Sequence, residues 1–377
     1  MSGTKWKLEE LPVGKTAEAV FWNNKVDDSP YPYRATHLDG RRAPKVVLSD
    51  DKRIVVGVPC MVKIRSVTKP ERTDRGALEV DYLGPAPFRI KGVWLDPVVS
   101  KKLQILLQSG LNILLDGPQG CGKTVLARSI AESLHMEFVF FNCGAVVEAT
   151  DFFATIQVRA SETGAPVTDF IKTDILLAIE ASLEHPERRY LVFLDELNRC
   201  QESARNALMP ALDSTRRIFH PIQNTFVEIP PNVQFIAAVN RGREFSGTFG
   251  IDAAQLDRFA PLQMDYMPPV EEVALLRDRH PELPANLVED VVAAAHAVRN
   301  TNDLPATLSV RASEEACIYL KHPLIGGDPS AIPDVLKSSF CGRFSGRWND
   351  VTSDAGAVWA VVRRTLAERG ATVADDA

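Results

Sequence analysis

The sequence predicts an α/β fold: a mostly parallel sheet between helices, with a small β-rich segment before it and a helical lid after it. Three observations carry that expectation. Asn112–Asp116 is a short apolar strand that passes through a glycine-rich turn into the helical stretch Val125–Leu134. Three more apolar strands follow at Phe138–Phe141, Tyr190–Leu194 and Val233–Val239. Helical stretches separate the earlier ones, as a parallel sheet covered on both faces requires. Beyond Pro268 the periodicity turns helical, most clearly at Val270–Asp278, Ala285–Arg299 and Ser309–Tyr319.

A chain of 377 residues exceeds the usual size of one domain, and the pattern divides it at two places. Residues 1–92 are rich in turn formers such as Asp39-Gly40 and Gly84-Pro85, between β-prone runs at Lys45–Leu48, Arg53–Val58, Met61–Val67 and Leu78–Leu83. They predict a small β domain of unknown role. Residues 93–268 hold the α/β core, opened by the helical stripe Leu95, Val98, Val99, Leu103 and Leu106 that stops at Gly110. Residues 269–377 make the helical lid and a C-terminal tail.

Hydrophobic residues at 45% and charged residues at 24% match an ordinary globular protein and exclude disordered and collagen-like classes. No run of some 18 uncharged apolar residues occurs, and Met1–Gly14 lacks the apolar stretch of a signal peptide, so a cytoplasmic protein without a membrane partner is expected. The six cysteines show no C-x-x-C spacing, which makes free thiols the expectation. A net charge of -6 argues against a general nucleic-acid binder. Between Asp39 and Arg75, however, ten Lys and Arg face five Asp and Glu. That stretch is either a solvated basic surface, favoured because it lacks aromatics for base stacking, or a face for nucleic acid or an acidic partner.

The chemistry concentrates at strand ends. Gly117-Pro118-Gln119-Gly120-Cys121-Gly122-Lys123-Thr124 matches G-x-x-x-x-G-K-[ST] between a strand and a helix, with Val125 next in line. Glycines let the backbone curl so that its N–H groups and the helix N-terminus face phosphate oxygens. Lys123 suits the β and γ phosphates, and the Thr124 hydroxyl suits Mg2+. The strand Tyr190–Leu194 runs into Asp195 and Glu196, two acids that are costly at the end of a buried strand unless they have partners. A metal-bound nucleotide supplies them, with Asp195 toward the metal and Glu196 polarising the attacking water. Asn240 ends the fourth strand, either as a turn residue or as a group that orients that water.

The ordered set GPQGCGKT, YLVFLDELNR, FIAAVN and GTFGIDAAQLDRF resembles the AAA+ superfamily over residues 93–320 or so, and within it the branch of the MoxR ATPases and the cobalt and magnesium chelatase ATPase subunits. Residues 1–92 match nothing in that branch. The resemblance implies a P-loop AAA+ core binding ATP and Mg2+, with Lys123 and Thr124 as Walker A, Asp195 and Glu196 as Walker B and Asn240 as sensor 1. It makes Arg258 the arginine finger that reaches a neighbouring subunit, with a local ion pair to Asp257 or Glu244 as the alternative. Arg241 and Arg243, which follow sensor 1 where relatives usually lack a basic pair, compete for the role or make a contact across the subunit interface. Arg311 becomes sensor 2, although Val310 stands where the family commonly has proline.

The resemblance further implies a homo-oligomeric ring, with a hexamer expected, acting on a client protein. A von Willebrand factor A domain partner would come from a separate chain. The hairpin-like stretch Phe152–Ile171 occupies the place of the branch's helix-2 insertion, where it either lines a channel or lies on the surface. Arg217–Phe219 and Thr225–Ile229 form a second hairpin before sensor 1. Two other function classes stay open: an NTP-driven nucleic-acid motor or defence subunit that uses the basic N-terminal stretch, and a slow nucleotide-gated scaffold, against which the intact Asp195-Glu196 pair weighs.

Overall fold

The computed structural model describes residues 13–23, 33–38, 41–42, 47–48, 53–55, 58–68, 77–86, 90, 92–160, 166–185, 188–240, 250–301, 304 and 307–370. Two compact units divide them. One holds the described residues of 1–116, 123–239 and 247–263, and the other those of 117–122, 240–246 and 264–377.

The first unit begins with a sheet of β1 (Thr16–Asn23), β2 (Tyr33–Leu38), β3 (Arg41–Arg42), β4 (Val47–Leu48), β5 (Pro59–Thr68) and β6 (Ala77–Pro85), in the order β3-β2-β1-β5-β6-β4. In β1 every second residue, Ala17, Ala19 and Phe21, turns inward onto Val62 and Ile64 of β5. Register shifts between Val20 and Phe21, and at two places along β5 and β6, mark bulges that bend these strands. The β character of this region matches expectation, but its strands differ in detail. β1 and β2 were not anticipated, because small alanines disguise the alternation of β1. No strand forms at residues 53–55, where Ile54 alone is buried.

Half of the basic residues counted between Asp39 and Arg75 lie outside the described residues: Lys45, Lys52, Lys69, Arg72 and Arg75. Of the others, Arg65 pairs with Asp81, and Arg53 stacks over Tyr82 at 5.0 Å.

The α/β core follows, as α1 (Pro97–Gln108), β7 (Ile113–Gly117), α2 (Lys123–Ser133), β8 (Glu137–Asn142), β9 (Ala154–Ala160), β10 (Pro166–Lys172), α3 (Asp174–Glu184) and β11 (Tyr190–Asp195). It continues through α4 (Glu202–Arg205), α5 (Met209–Leu212), β12 (Arg217–His220), β13 (Thr225–Glu228), β14 (Val233–Asn240), α6 (Ala253–Leu256) and β15 (Ala260–Gln263). Asp96 caps α1, accepting from Val98 N at 2.8 Å.

The central sheet has the order β15-β7-β14-β11-β8, with β8 and β14 parallel to β11 and β15 parallel to β7. All eight residues of β14 are buried, as are Tyr190–Leu194 of β11, which is why both stretches are mostly apolar; the buried Gln234 is accommodated by donating from Nε2 to the Leu111 carbonyl at 3.2 Å. The edge strand β15 was not anticipated. It has four residues, includes Pro261 and buries only Leu262, so it carries almost no pattern, and proline is tolerated at an edge.

Two antiparallel hairpins leave this core. β9 and β10 form the expected insert, with Ile156 paired to Phe170 and both exposed; its tip, residues 161–165, lies outside the described residues. β12 and β13 form the second. Glu180 of α3 ties both hairpins to the core, 2.7 Å from Lys172 Nζ and 3.1 Å from His220 Nε2. Burial alone would raise its carboxyl, but hydrogen bonds from Lys172 and His220 hold it below the ordinary value.

The second unit is helical beyond Met264, with α7 (Pro269–Arg279), α8 (Ala285–Arg299), α9 (Val310–Lys321), α10 (Ile332–Ser339) and α11 (Asp354–Glu368). Leu287, Val288, Val291 and Val292 of α8 share a core with Ala312, Ala316 and Leu320 of α9 and with Val358, Val362 and Leu366 of α11. Ser353 caps α11, accepting from Gly356 N at 3.0 Å. Among the described residues no helix is long and apolar enough to cross a membrane, and all six cysteines are free thiols.

Candidate functional site

The glycine-rich loop leaves β7 at Gly117 and enters α2 at Lys123. At Gly117 a Cβ would stand 2.5 Å from the Met264 carbonyl oxygen. Gly120 has a φ of +74°, and a Cβ there would stand 2.3 Å from the Cβ of Ser309. The loop is thus held at a distance only glycine permits. Tyr266 adds a fixed point, its hydroxyl donating to the Gln119 carbonyl at 2.8 Å while the Arg299 guanidinium lies 4.7 Å from its ring. Lys123 is 7% exposed in the first turn of α2. A cation at the positive end of a helix dipole is poorly placed by itself, and a bound anion offsets the cost.

At the end of β11, Thr124 Oγ1 stands 3.3 Å from Asp195 Oδ2. Asp195 also accepts from the backbone N–H of Glu196 at 3.0 Å. Glu196 adopts a left-handed conformation, with φ 52° and ψ 43°, which is uncommon outside glycine and Asn and turns its side chain sharply out of the strand. Its carboxylate meets Arg199 Nε at 3.1 Å. Asn142 of β8 is the register partner of Asp195, and its Oδ1 accepts from Gly144 N at 2.9 Å. A Cβ on Gly144 would stand 3.5 Å from Glu196 Oε2, an ordinary contact, which places this turn after β8 directly beside the acid.

The neighbouring cysteines are not nucleophiles. Burial, with the Cys200 side chain and the Asp195 carboxylate nearby, pushes the Cys143 thiol well up, and burial pushes Cys200 up to about 11.

These donors fit Mg2+. A hydroxyl and a carboxylate are hard oxygen ligands, and among the described residues no cluster of three or more His, Cys, Asp or Glu forms a complete cage. Mg2+ characteristically takes one or two carboxylates and completes its shell with phosphate and water.

The remaining candidates are distributed. Asn240 closes β14, which lies between β7 and β11 in the sheet, and is 8% exposed. Arg311 is exposed in the first turn of α9, two residues after the Ser309 that faces Gly120. Arg258, in the turn that follows α6, donates from Nη1 to the Ala254 carbonyl of that helix, and its Nε has no partner among the described residues. The alternative ion pair with Asp257 is therefore not formed. Arg241, Arg243 and Glu244 lie outside the described residues. Pro118 and Cys121 are half-buried in the loop, and Val125 is half exposed on α2.

Residues 112–259 match the family described as AAA domain (dynein-related subfamily). That segment is similar to AAA domains. Uncharacterized proteins of Staphylococcus saprophyticus and Staphylococcus haemolyticus are 28% and 26% identical to the chain over 172 residues, which is 46% of this chain and 62% of each relative. The chain thus spans less than two thirds of their length. An uncharacterized Staphylococcus aureus protein is 25% identical over 189 residues, 48% of this chain and 68% of that one. Among solved structures, a point mutant of Thermotoga maritima RuvB aligns with 77% of this chain and 93% of its own, at 16% identity and a TM-score of 0.40.

Three residues that shape the acids or the loop of this site were not singled out from sequence: Asn142, Arg199 and Tyr266. Arg199 lies inside the stretch Leu194–Arg199, where the i,i+3 spacing from Glu196 was the available signal. Asn142 is found only through the β8–β11 register, and Tyr266 only through the chain's return to Gln119.

Proposed function

We propose that the chain is an ATP hydrolase that works as a ring of its own copies, six by family resemblance, and remodels or assembles a macromolecular client in the manner of MoxR ATPases. The observation that carries this reading is the approach of Thr124 Oγ1 to Asp195 Oδ2, 3.3 Å, at the end of a glycine-rich loop and beside Glu196. A purely structural strand end has no need of a hydroxyl, a carboxylate and a second acid in one place.

In this reading Lys123 and the N–H groups of Gly117–Thr124 bind the phosphates, and Thr124 and Asp195 would hold Mg2+. When bound, Mg2+ draws negative charge from the phosphate oxygens. Glu196 polarises the attacking water and takes up its proton, Asn240 orients that water, and Arg311 contacts the phosphates. Arg258 leaves the Ala254 carbonyl to stabilise charge on the nucleotide of the adjoining subunit, so that hydrolysis depends on assembly. The client, and a von Willebrand factor A domain partner on a separate chain, belong to the same proposal by resemblance.

The test is native mass together with ATPase rate for the wild type, Glu196→Gln and Arg258→Ala, with and without ATP and Mg2+. An ATP-dependent ring that Glu196→Gln holds without turnover, and that Arg258→Ala forms but barely turns over, supports the reading. A monomer whose hydrolysis neither substitution affects overturns it.

A further inference from the structure

Arg205 is 1% exposed and among the largest fully buried side chains of the molecule. Burial lowers its pKa, yet a guanidinium keeps its charge in a protein, so a cation is enclosed here. Its hydrogen-bond partners among the described residues are backbone carbonyls: Nη1 donates to Cys200 at 3.1 Å and Nη2 to Gly250 at 2.5 Å, while Nε has none. An enclosed charge is costly, and a side chain that serves only to fill space would be apolar.

What the two carbonyls belong to gives the arrangement its meaning. Cys200 closes the short 3-10 turn Leu197–Arg199 that begins at Glu196. Gly250 opens the segment that Asp252 caps into α6 and that ends at Arg258. Arg205 therefore clamps the segment after the general base to the segment that carries the arginine, 45 positions away.

The next residue repeats the link. Asn206 Oδ1 accepts from Nε2 of Gln255, which is 2% exposed, at 3.0 Å. A third tie comes from Asn112 Nδ2, which donates to the carbonyls of Leu212 at 2.7 Å and Arg258 at 3.3 Å. Phe259, immediately after Arg258, is packed in the same core as Leu208 and Leu212.

We propose that Arg205, seconded by Asn206 and Gln255, is a positioning residue for Arg258: it fixes the base of the arginine so that the guanidinium reaches the adjoining subunit's nucleotide. This rests on the reading of Arg258 as an arginine acting in trans. It follows that the harm of losing Arg205 falls on the neighbour's site, whereas the subunit's own phosphate and base groups keep working.

Mixed rings test this. Arg205→Met alone is expected to lower kcat at least tenfold with ATP affinity within about twofold of wild type. Arg205→Lys, which keeps the charge and can reach one carbonyl, is expected to fall between the two. Subunits of Glu196→Gln have a dead site of their own but an intact Arg205 and Arg258. Mixed in excess with Arg205→Met, they are expected to restore at least threefold of the lost turnover per competent site, and to do the same for Arg258→Ala. Rescue of both supports the proposal.

Rescue of Arg258→Ala without rescue of Arg205→Met overturns the positioning role and leaves the trans arginine standing. Failure of both overturns the trans arginine and this inference with it, as would wild-type turnover in Arg205→Met alone. Should Arg205→Met fail to fold, Gln255→Ala breaks the second link in the same experiment. A smaller loss, about threefold and rescued in the mixture, is the expected result, and a loss that is not rescued counts against the proposal.

Discussion

Glu196 presents its carboxylate to Arg199 Nε at 3.1 Å from a left-handed backbone position, φ 52°. The two side chains are 26% and 41% exposed, so the pair contributes at most about 1 kcal/mol to stability. Its consequence is orientation. Arg199→Ala is expected to move the thermal midpoint by less than about 3 °C and to lower kcat about tenfold with KM unchanged. Glu196→Gln, which keeps the shape and removes the base, is expected to lower kcat at least about a hundredfold. Steady-state kinetics decide between orientation and restraint, because a rise of kcat in Arg199→Ala would mean that the arginine holds the base back.

The closeness of Thr124 and Asp195 leads to a metal prediction. Thr124→Val keeps the volume of the side chain but removes the hydroxyl 3.3 Å from the carboxylate, and it is expected to raise the Mg2+ concentration for half-maximal hydrolysis about tenfold or more. Thr124→Ser keeps the oxygen and is expected to stay within about threefold of wild type. Chelation with EDTA should abolish turnover in all three proteins. A Mg2+ titration of ATPase rate in which Thr124→Val matches the wild type would remove the hydroxyl from the metal site.

What the sequence made legible was contiguous. The loop Gly117–Thr124 and the strand ending at Asp195 hold their chemistry in adjacent residues, and a fully buried strand such as β14 carries the unbroken apolar run Phe235–Val239. What it did not make legible is made by return of the chain. Arg205 meets Gly250 across 45 positions, Tyr266 meets Gln119 across 147, and Asn142 meets Asp195 only through strand register. Local pattern is also weakest where strands are short or their inward residues small, as in β15 and β1. No periodicity within any one of these segments encodes which distant backbone it will touch.

Gly120 and Ser309 are packed so closely that the loop's tolerance can be measured. Gly120→Ala places a Cβ 2.3 Å from that of Ser309 and holds alanine at φ +74°, which together are expected to weaken ATP binding more than tenfold. Ser309→Gly removes the opposing Cβ at small cost, since glycine is accepted at a helix N-cap. The double variant is expected to recover part of the affinity and to keep the deficit due to backbone strain, about 1 kcal/mol. Isothermal titration of the four proteins separates the two effects, and strictly additive losses would show that the contact carries none of the penalty.

Glu272 and Arg299 make an enclosed ion pair with a pH signature. Glu272 is 0% exposed. Burial alone would raise its carboxyl, but hydrogen bonds from His296 at 2.9 Å and Arg299 at 3.1 Å, with the charge of Arg299, bring it down to about 2 from 4.5. A group whose folded pKa is depressed adds stability that is complete above its unfolded value, near 4.5, and is lost as pH falls toward about 2. The difference in urea midpoint between wild type and Glu272→Gln should therefore shrink across that window.

Arg299→Met leaves the carboxylate enclosed without its cation and is expected to cost about 3–5 kcal/mol at pH 7. In that variant burial prevails, the folded pKa lies above the unfolded one, and linkage changes sign: protonation now favours the folded state, so acid recovers part of what the substitution removed. Midpoints of Arg299→Met and of the double variant with Glu272→Gln, measured from pH 7 to pH 3, should converge as pH falls. Parallel curves would assign the acid response to other carboxyls.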